Sequence, residues 1–237
     1  MNFKCSPVLF LILSALCVDF VAAQPSHDLW AKQLAEFVDS EGRVDYDGWS
    51  VKASKLNAYL KTLGEQPPGK EWSAHEQMAY WINAYNAFTV KMVIDHLPIK
   101  SLRDIHDGNP WVVSWIRIGE EVLSLDDIEH QRLRAQFQEP AIHFALNCAS
   151  VSCPPLSQQA YHAHNLPEML QERTRAFINH PNYNLIEKNQ IQLSKIFDWY
   201  ADDFGDVRAY INQYCEPPLR ADIPLEYLEY DWSLNRQ

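Results

Sequence analysis

The sequence lacks a membrane-spanning run: beyond the N-terminal leader, no stretch of its 237 residues approaches the roughly 20 apolar residues a spanning helix needs. It also lacks positive charge. A net charge of −11 at pH 7 argues against nucleic acid and anionic membrane surfaces as partners and favours solubility. There is no internal repeat, no low-complexity tract and no long run of like charge, and only Glu65–Lys70, with Pro67-Pro68-Gly69, resembles a linker. One globular unit is therefore expected. Cysteine is scarce, with five in all, and no C-x-x-C is present, which leaves a thiol–disulfide exchange enzyme without its motif.

The apolar run that does occur is at the start. Lys4 precedes Val8–Val18, about 11 residues, and Val21-Ala22-Ala23 then offers the small residues a signal peptidase cuts after. Residues 1–23 read as a signal peptide and 24–237 as the mature chain, secreted or periplasmic and not inserted in a membrane. Lipid attachment at Cys17 is disfavoured, because Leu16 stands where a small residue would be needed. Cys5 and Cys17 leave with the leader, so Cys148, Cys153 and Cys215 must be explained in an oxidising compartment.

Helical periodicity runs through Asp28–Ser40 and Val51–Leu63 and is strongest after Ser73, where Ser73 and Glu76 form a capping box and Pro98 closes the run. That third helix is apolar nearly all round, with water reserved for a strip near Lys91 and Asp95. Asn83 and Asn86, one turn apart in it, must find partners, since an unpaired buried amide costs about 1–3 kcal/mol. They either tie down neighbouring backbone or line a pocket. Trp111–Ile118 and the segment through Leu123 read as a hairpin around Gly119-Glu120, and Ser124 caps a following helix. Glu129 falls inside that helix's apolar stripe, with Arg132 as its ordinary partner, while His130 and Arg134 form a flank. Ala141–Cys148 alternates like a strand with one apolar face. Leu166–Asn179 and Ser194–Phe204 read as helices with two short strands between them, Asp198, Asp202 and Asp203 form a solvated face, and Leu225–Leu234 ends the chain as a strand or packed tail. The sum is an α+β fold, mostly helical, with a small antiparallel sheet.

Chemistry concentrates in His143-Phe-Ala-Leu-Asn-Cys148-Ala-Ser-Val-Ser-Cys153-Pro-Pro. On an unbroken strand His143 and Cys148 would lie about 16 Å apart on opposite faces, so they can cooperate only if the chain breaks near Asn147. Cys148 and Cys153 could alternatively close a disulfide. Metal binding by His143, Cys148 and Cys153 matches no common zinc spacing, and neither metal nor cofactor is expected.

Five ordered motifs, Gly42–Tyr46, Trp81–Ala87, Ser124–His130 with Leu133-Arg134, His143–Ser150 with Ser152–Leu156, and Lys195–Tyr200 with Asp203-Phe204, together resemble the DUF547 family, whose name carries no activity. A loose analogy links such domains to papain-like and transglutaminase-like thiol enzymes. The residues themselves suggest Cys148 as the nucleophile, His143 as the base and Glu129 as the group that fixes its tautomer, provided the backbone brings the three segments together. Asn83 and Asn86 hold the site or donate to an oxyanion, and His130 and Ser152 are further candidates for binding or orienting a peptide-like or other small-molecule substrate. The expected activity is extracytoplasmic acyl transfer or amide hydrolysis. The competing expectation is a non-catalytic secreted binding module with Cys148 and Cys153 bridged. The oligomeric state is left open.

Overall fold

The computed structural model describes residues 24–237, so the leader, with Cys5 and Cys17, lies outside the described residues. An N-terminal helical layer is built from α1 (Asp28–Phe37), α2 (Tyr46–Val51) and α3 (Ser54–Glu65), packed on α4 (Ala74–Asp95). Aromatic side chains hold it. Trp30 stacks on Trp49 and on Tyr59, and Phe37 stacks on Trp49, while Trp49 Nε1 donates to the buried Gln33 Oε1 at 3.0 Å. The six residues of the short α2 carry too little periodic pattern to mark it in the sequence. What starts it is local: the Asp45 side chain accepts the Gly48 N–H at 2.8 Å.

The long α4 is the axis of the molecule. Its capping box forms as the sequence requires, with Glu76 Oε2 accepting the Ser73 N–H and Ser73 Oγ accepting the Glu76 N–H. From Met78 to Ile94 every residue but Lys91 is buried, and Asp95 is exposed. Strands β1 (Ile116–Ile118) and β2 (Glu121–Leu123) make the hairpin around Gly119-Glu120, with Ile116 opposite Leu123. Only the end of the expected strand Trp111–Ile118 is extended, since Pro110–Val112 winds into a 3₁₀ turn.

After Ser124 the chain forms a π-helix over Asp127–Arg134, in which the Ala135 N–H reaches five residues back to the His130 carbonyl, and it passes directly into α5 (Ala135–Phe137). The Ser124 cap is reciprocal: its N–H and Oγ donate to Asp127 Oδ2, and its Oγ accepts the Asp127 N–H. The wider turn changes which side chains align. Arg132 turns away from Glu129, pairs with Glu121 and lies over the Trp81 ring at 5.7 Å. The expected Glu129–Arg132 pair is therefore corrected.

The strand expected over Ala141–Cys148 is likewise absent. Pro140–Phe144 is a 3₁₀ turn whose first N–H, that of Ala141, is accepted by the Glu139 side chain. The apparent alternation does not reflect two faces, because Ala141–Asn147 is buried throughout. Beyond it come α6 (Leu166–Ile178), β3 (Leu185–Ile186), β4 (Ile191–Leu193), α7 (Ile196–Trp199), α8 (Ala201–Phe204), α9 (Val207–Ile211) and β5 (Leu225–Tyr227). β3 pairs antiparallel with β4, and β4 pairs parallel with β5. The helix expected over Ser194–Phe204 is two short pieces broken at Tyr200, and the break aims Tyr200 and Asp203 inward.

Two apolar clusters result. The larger surrounds α4; the smaller, holding Phe177, Phe197, Phe204 and Ile211, includes Phe144 and so joins the second half of the chain to the segment that carries His143. The fold is α+β and mostly helical, and no helix among the described residues is long and apolar enough to cross a membrane.

Candidate functional site

A cleft of about 200 Å³ opens between the π-helix, the Asn147–Pro154 loop, α7 and the C-terminal tail. Glu129, His130, His143, Cys148, Cys153 and Tyr200 line it, and Trp111, Trp199, Tyr230 and Trp232 make its aromatic wall. Residues separated by more than a hundred positions meet there because the tail is zipped onto the cysteine loop. The Val151 N–H donates to the Ser233 carbonyl at 2.8 Å, the Asn235 N–H to the Ala149 carbonyl at 3.2 Å, and the Asp231 N–H to Ser152 Oγ at 2.9 Å.

The chain breaks next to the cysteine. Asn147 Oδ1 accepts the Ala149 N–H at 3.0 Å while its Nδ2 donates to the Pro154 carbonyl at 2.8 Å, and Ala149 is held at φ 63°. A non-glycine residue pays conformational strain in that left-handed region, and such strain gathers at functional sites. The tight turn is what lets His143 and Cys148 line one cleft, which a straight strand would forbid.

Cys148 is half-buried, Cys153 and Cys215 are buried, and all three are unbridged, so the disulfide expected as an alternative is not formed. Instead the Cys148 N–H donates to Cys153 Sγ at 2.7 Å. Cys148 Sγ lies 3.0 Å from Ser150 Oγ and 3.1 Å from Tyr230 OH, and the two hydroxyls are 3.0 Å apart. Burial opposes the thiolate, but hydrogen bonds from the Cys153, Ser150 and Tyr230 side chains outweigh it and bring the Cys148 thiol below its ordinary value. Cys153 moves the other way, pushed up by burial and by the neighbouring Cys148 sulfur.

His143 is 4% exposed and stacks on Tyr200 with ring centroids 3.9 Å apart. Its Nε2 lies 2.7 Å from Asp203 Oδ2, and Arg134 grips the same carboxylate through Nε at 2.6 Å and Nη2 at 2.8 Å. A carboxylate only accepts, so neutral His143 carries its proton on Nε2 and its lone pair on Nδ1. Burial lowers the His143 pKa against the pull of Glu129 and Asp203, which keeps the imidazole neutral near pH 7. The Arg134 guanidinium, by hydrogen bonding, with His143 helping, holds Asp203 down to about 2 despite partial burial.

Other expected residues take different posts. Glu129 lines the cleft without reaching the His143 ring nitrogens; burial and the Glu129 carboxylate together push the Tyr200 phenol far up. His130 lines the cleft with Nδ1 3.0 Å from Arg134 Nη1, and since arginine only donates, Nδ1 is the acceptor. Asn83 clamps the Tyr161 backbone at both N–H and carbonyl. Asn86 donates to the Ala145 carbonyl and accepts the Asn147 N–H, which fixes the start of the cysteine loop. Ser152 faces away from the cleft onto the tail. Asp203, read from sequence as solvated, is the group on His143, and Ser150, Tyr200 and Tyr230 were not singled out. The available signal was that Arg134, Tyr200 and Asp203 stand inside the family motifs.

With this geometry in place, comparison adds one result: residues 69–178 match the family model described as "Protein of unknown function, DUF547". Over this segment the chain is similar to that family. The segment supplies Glu129, His143 and Cys148, whereas Tyr200, Asp203 and Tyr230 come from the chain beyond it. No curated protein and no solved structure matches the chain. The analogy to papain-like thiol enzymes thus finds no support among the comparisons.

Proposed function

We propose that the protein is a thiol-dependent acyl transferase or amide hydrolase acting on a peptide-like substrate. The observation that carries this reading is a cysteine with a lowered pKa sharing a cleft with a neutral histidine whose Nε2 is locked by a carboxylate–arginine pair. That is the division of labour nucleophilic catalysis needs, with an activated sulfur, a base and a group that orients the base.

In the proposed reaction His143 Nδ1 takes the Cys148 proton, and the thiolate adds to the substrate carbonyl carbon. The imidazolium then protonates the departing amine as the carbon–nitrogen bond breaks, leaving a thioester on Cys148. Water, or a second amine, attacks that thioester with His143 again as base, which releases a carboxylic acid or a new amide and restores the thiol. Sulfur and imidazole do not touch in the free protein, and such catalytic contacts commonly tighten only with substrate bound. Asp203 holds the imidazole through both proton transfers. We place this activity outside the cytoplasm on the strength of the leader pattern in residues 1–23.

Alkylation by iodoacetamide, followed residue by residue in the mass spectrum, tests the reading. At neutral pH Cys148 is expected to react much faster than Cys153 and Cys215, and Cys148→Ser to abolish that fast phase. Equal, slow labelling of all three thiols would falsify the nucleophile. Mass measurement of the exported N-terminus tests cleavage before Gln24.

A further inference from the structure

Glu129 is 7% exposed and lines the cleft, yet no cation pairs with it among the described residues, because Arg132 is bound to Glu121 and Arg134 to Asp203. A buried carboxylate without a counter-charge is costly unless something supplies one. Asp126 stands on the same cleft wall, and burial with the neighbouring Glu129 and Asp127 charges raises its pKa.

The same cleft is lined by a wall of π-faces. Trp199 packs on Tyr230 at 4.8 Å and on Trp232 at 5.7 Å, and Trp111 lies 5.6 Å from Trp232. Trp199 remains 47% exposed, an unusual position for so large an apolar side chain. Aromatic faces attract cations, Trp most strongly, and in this protein the Trp232 ring already carries the Arg103 guanidinium 5.1 Å from its centroid. A cleft that joins unneutralised carboxylates to exposed indole faces complements a positive charge.

We infer that the cleft selects substrates bearing a cationic side chain, an ammonium or guanidinium, beside the carbonyl that Cys148 attacks. The cation sits between Glu129 and the aromatic wall, neutralising the carboxylate and covering the rings. This deepens the proposed function and rests on it for the word substrate, but the subsite itself is independent of the thiol.

The test therefore uses Cys148→Ala protein and two peptide-like probes, Nα-acetyl-lysine N-methylamide and its neutral counterpart Nα-acetyl-norleucine N-methylamide. Binding is read from tryptophan fluorescence. The lysine probe is expected to bind at least tenfold tighter than the norleucine probe. Adding Glu129→Gln should bring the two within about twofold, and adding Trp199→Ala, at a half-exposed position, should weaken the lysine probe at least fivefold. Equal binding of the two probes, no binding of either at millimolar concentration, a preference that survives Glu129→Gln, or displacement of the lysine probe by glucose each overturns the inference. A cation preference that persists when Cys148 proves unreactive removes only the enzyme reading. Fast Cys148 alkylation without a cation preference removes only this one.

Discussion

Asp203 Oδ2 lies 2.7 Å from His143 Nε2 across a sequence separation of 60 residues, and it alone decides which ring nitrogen can act as a base. The carboxylate keeps the proton on Nε2. In a long-range nitrogen-15 spectrum at pH 7, His143 is expected as the neutral Nε2–H tautomer. Asp203→Asn should disturb that tautomer and destabilise the fold by about 1 kcal/mol, a value held low because Asp203 is a quarter exposed. A spectrum showing wild-type His143 as the Nδ1–H tautomer would remove it as the proposed base. The acid limb follows with its sign fixed: Asp203 is lowered from 3.8 to about 2, so its stabilisation is full above about pH 4 and fades as pH falls toward 2.

Tyr230 touches the sulfur from the C-terminal tail, with its hydroxyl 3.1 Å from Cys148 Sγ. A hydrogen bond donated to a charged acceptor contributes about 1.5 kcal/mol or more, which corresponds to roughly tenfold in thiolate population. Tyr230→Phe should therefore slow Cys148 alkylation about tenfold at neutral pH and leave the rate at high pH, where the thiol is fully ionised, nearly unchanged. A uniform slowing at all pH values would show that Tyr230 only shapes access.

The contrast between these two contacts shows what the sequence could disclose. The α4 helix was legible, cap and burial included, because 22 residues of periodic pattern outweigh local noise. The α6 helix was legible for the same reason, and the hairpin from its Gly119-Glu120 turn, though its first strand is only Ile116–Ile118. The π-helix was not, since nothing in Asp127–Arg134 distinguishes a wider turn from an α-turn, and that difference sends Arg132 to Glu121 and Arg134 to Asp203. Cys148 and His143 stood out by residue type. Their partners did not: Asp203 looks like any acid on a helix, and Tyr230 reaches the site only through backbone pairing between the tail and Ala149–Ser152.

His27 offers a pH handle remote from the cleft. Its Nδ1 lies 2.7 Å from Tyr59 OH, pinning the start of α1 onto α3, and burial, with His162 beside it, lowers its pKa from 6.5 to about 4. The folded protein therefore prefers the neutral ring. Stability from this group is full above about pH 6.5, is lost as pH falls through that value, and levels off below about 4, with a total change of about 2–3 kcal/mol. Urea unfolding at pH 7.5, 6 and 4.5 should trace this loss, and His27→Gln should flatten it. A wild-type curve that is level from pH 7.5 to 5 would contradict the buried neutral histidine.

Gly42 marks the place where the N-terminal turn supports the cysteine loop. It adopts φ 75°, and a Cβ there would come 2.3 Å from Pro155 Cβ and 2.9 Å from the Leu156 nitrogen. Both penalties apply to Gly42→Ala: about 1–2 kcal/mol for the left-handed backbone and about 1–3 kcal/mol for forcing apart packed atoms. Gly205 also has positive φ, but nothing lies within 4 Å of its Cβ position. At φ 64° and ψ −114° it lies where only glycine is at ease, so Gly205→Ala also costs stability through the backbone, and the two substitutions differ in what they do to the cysteine loop. Because Pro155 follows Cys153-Pro154 directly, the clash should also displace the wall behind Cys148 and slow its alkylation, which Gly205→Ala leaves unaltered. Unchanged Cys148 alkylation in Gly42→Ala would mean that the Gly42 turn yields freely and does not brace the cysteine loop.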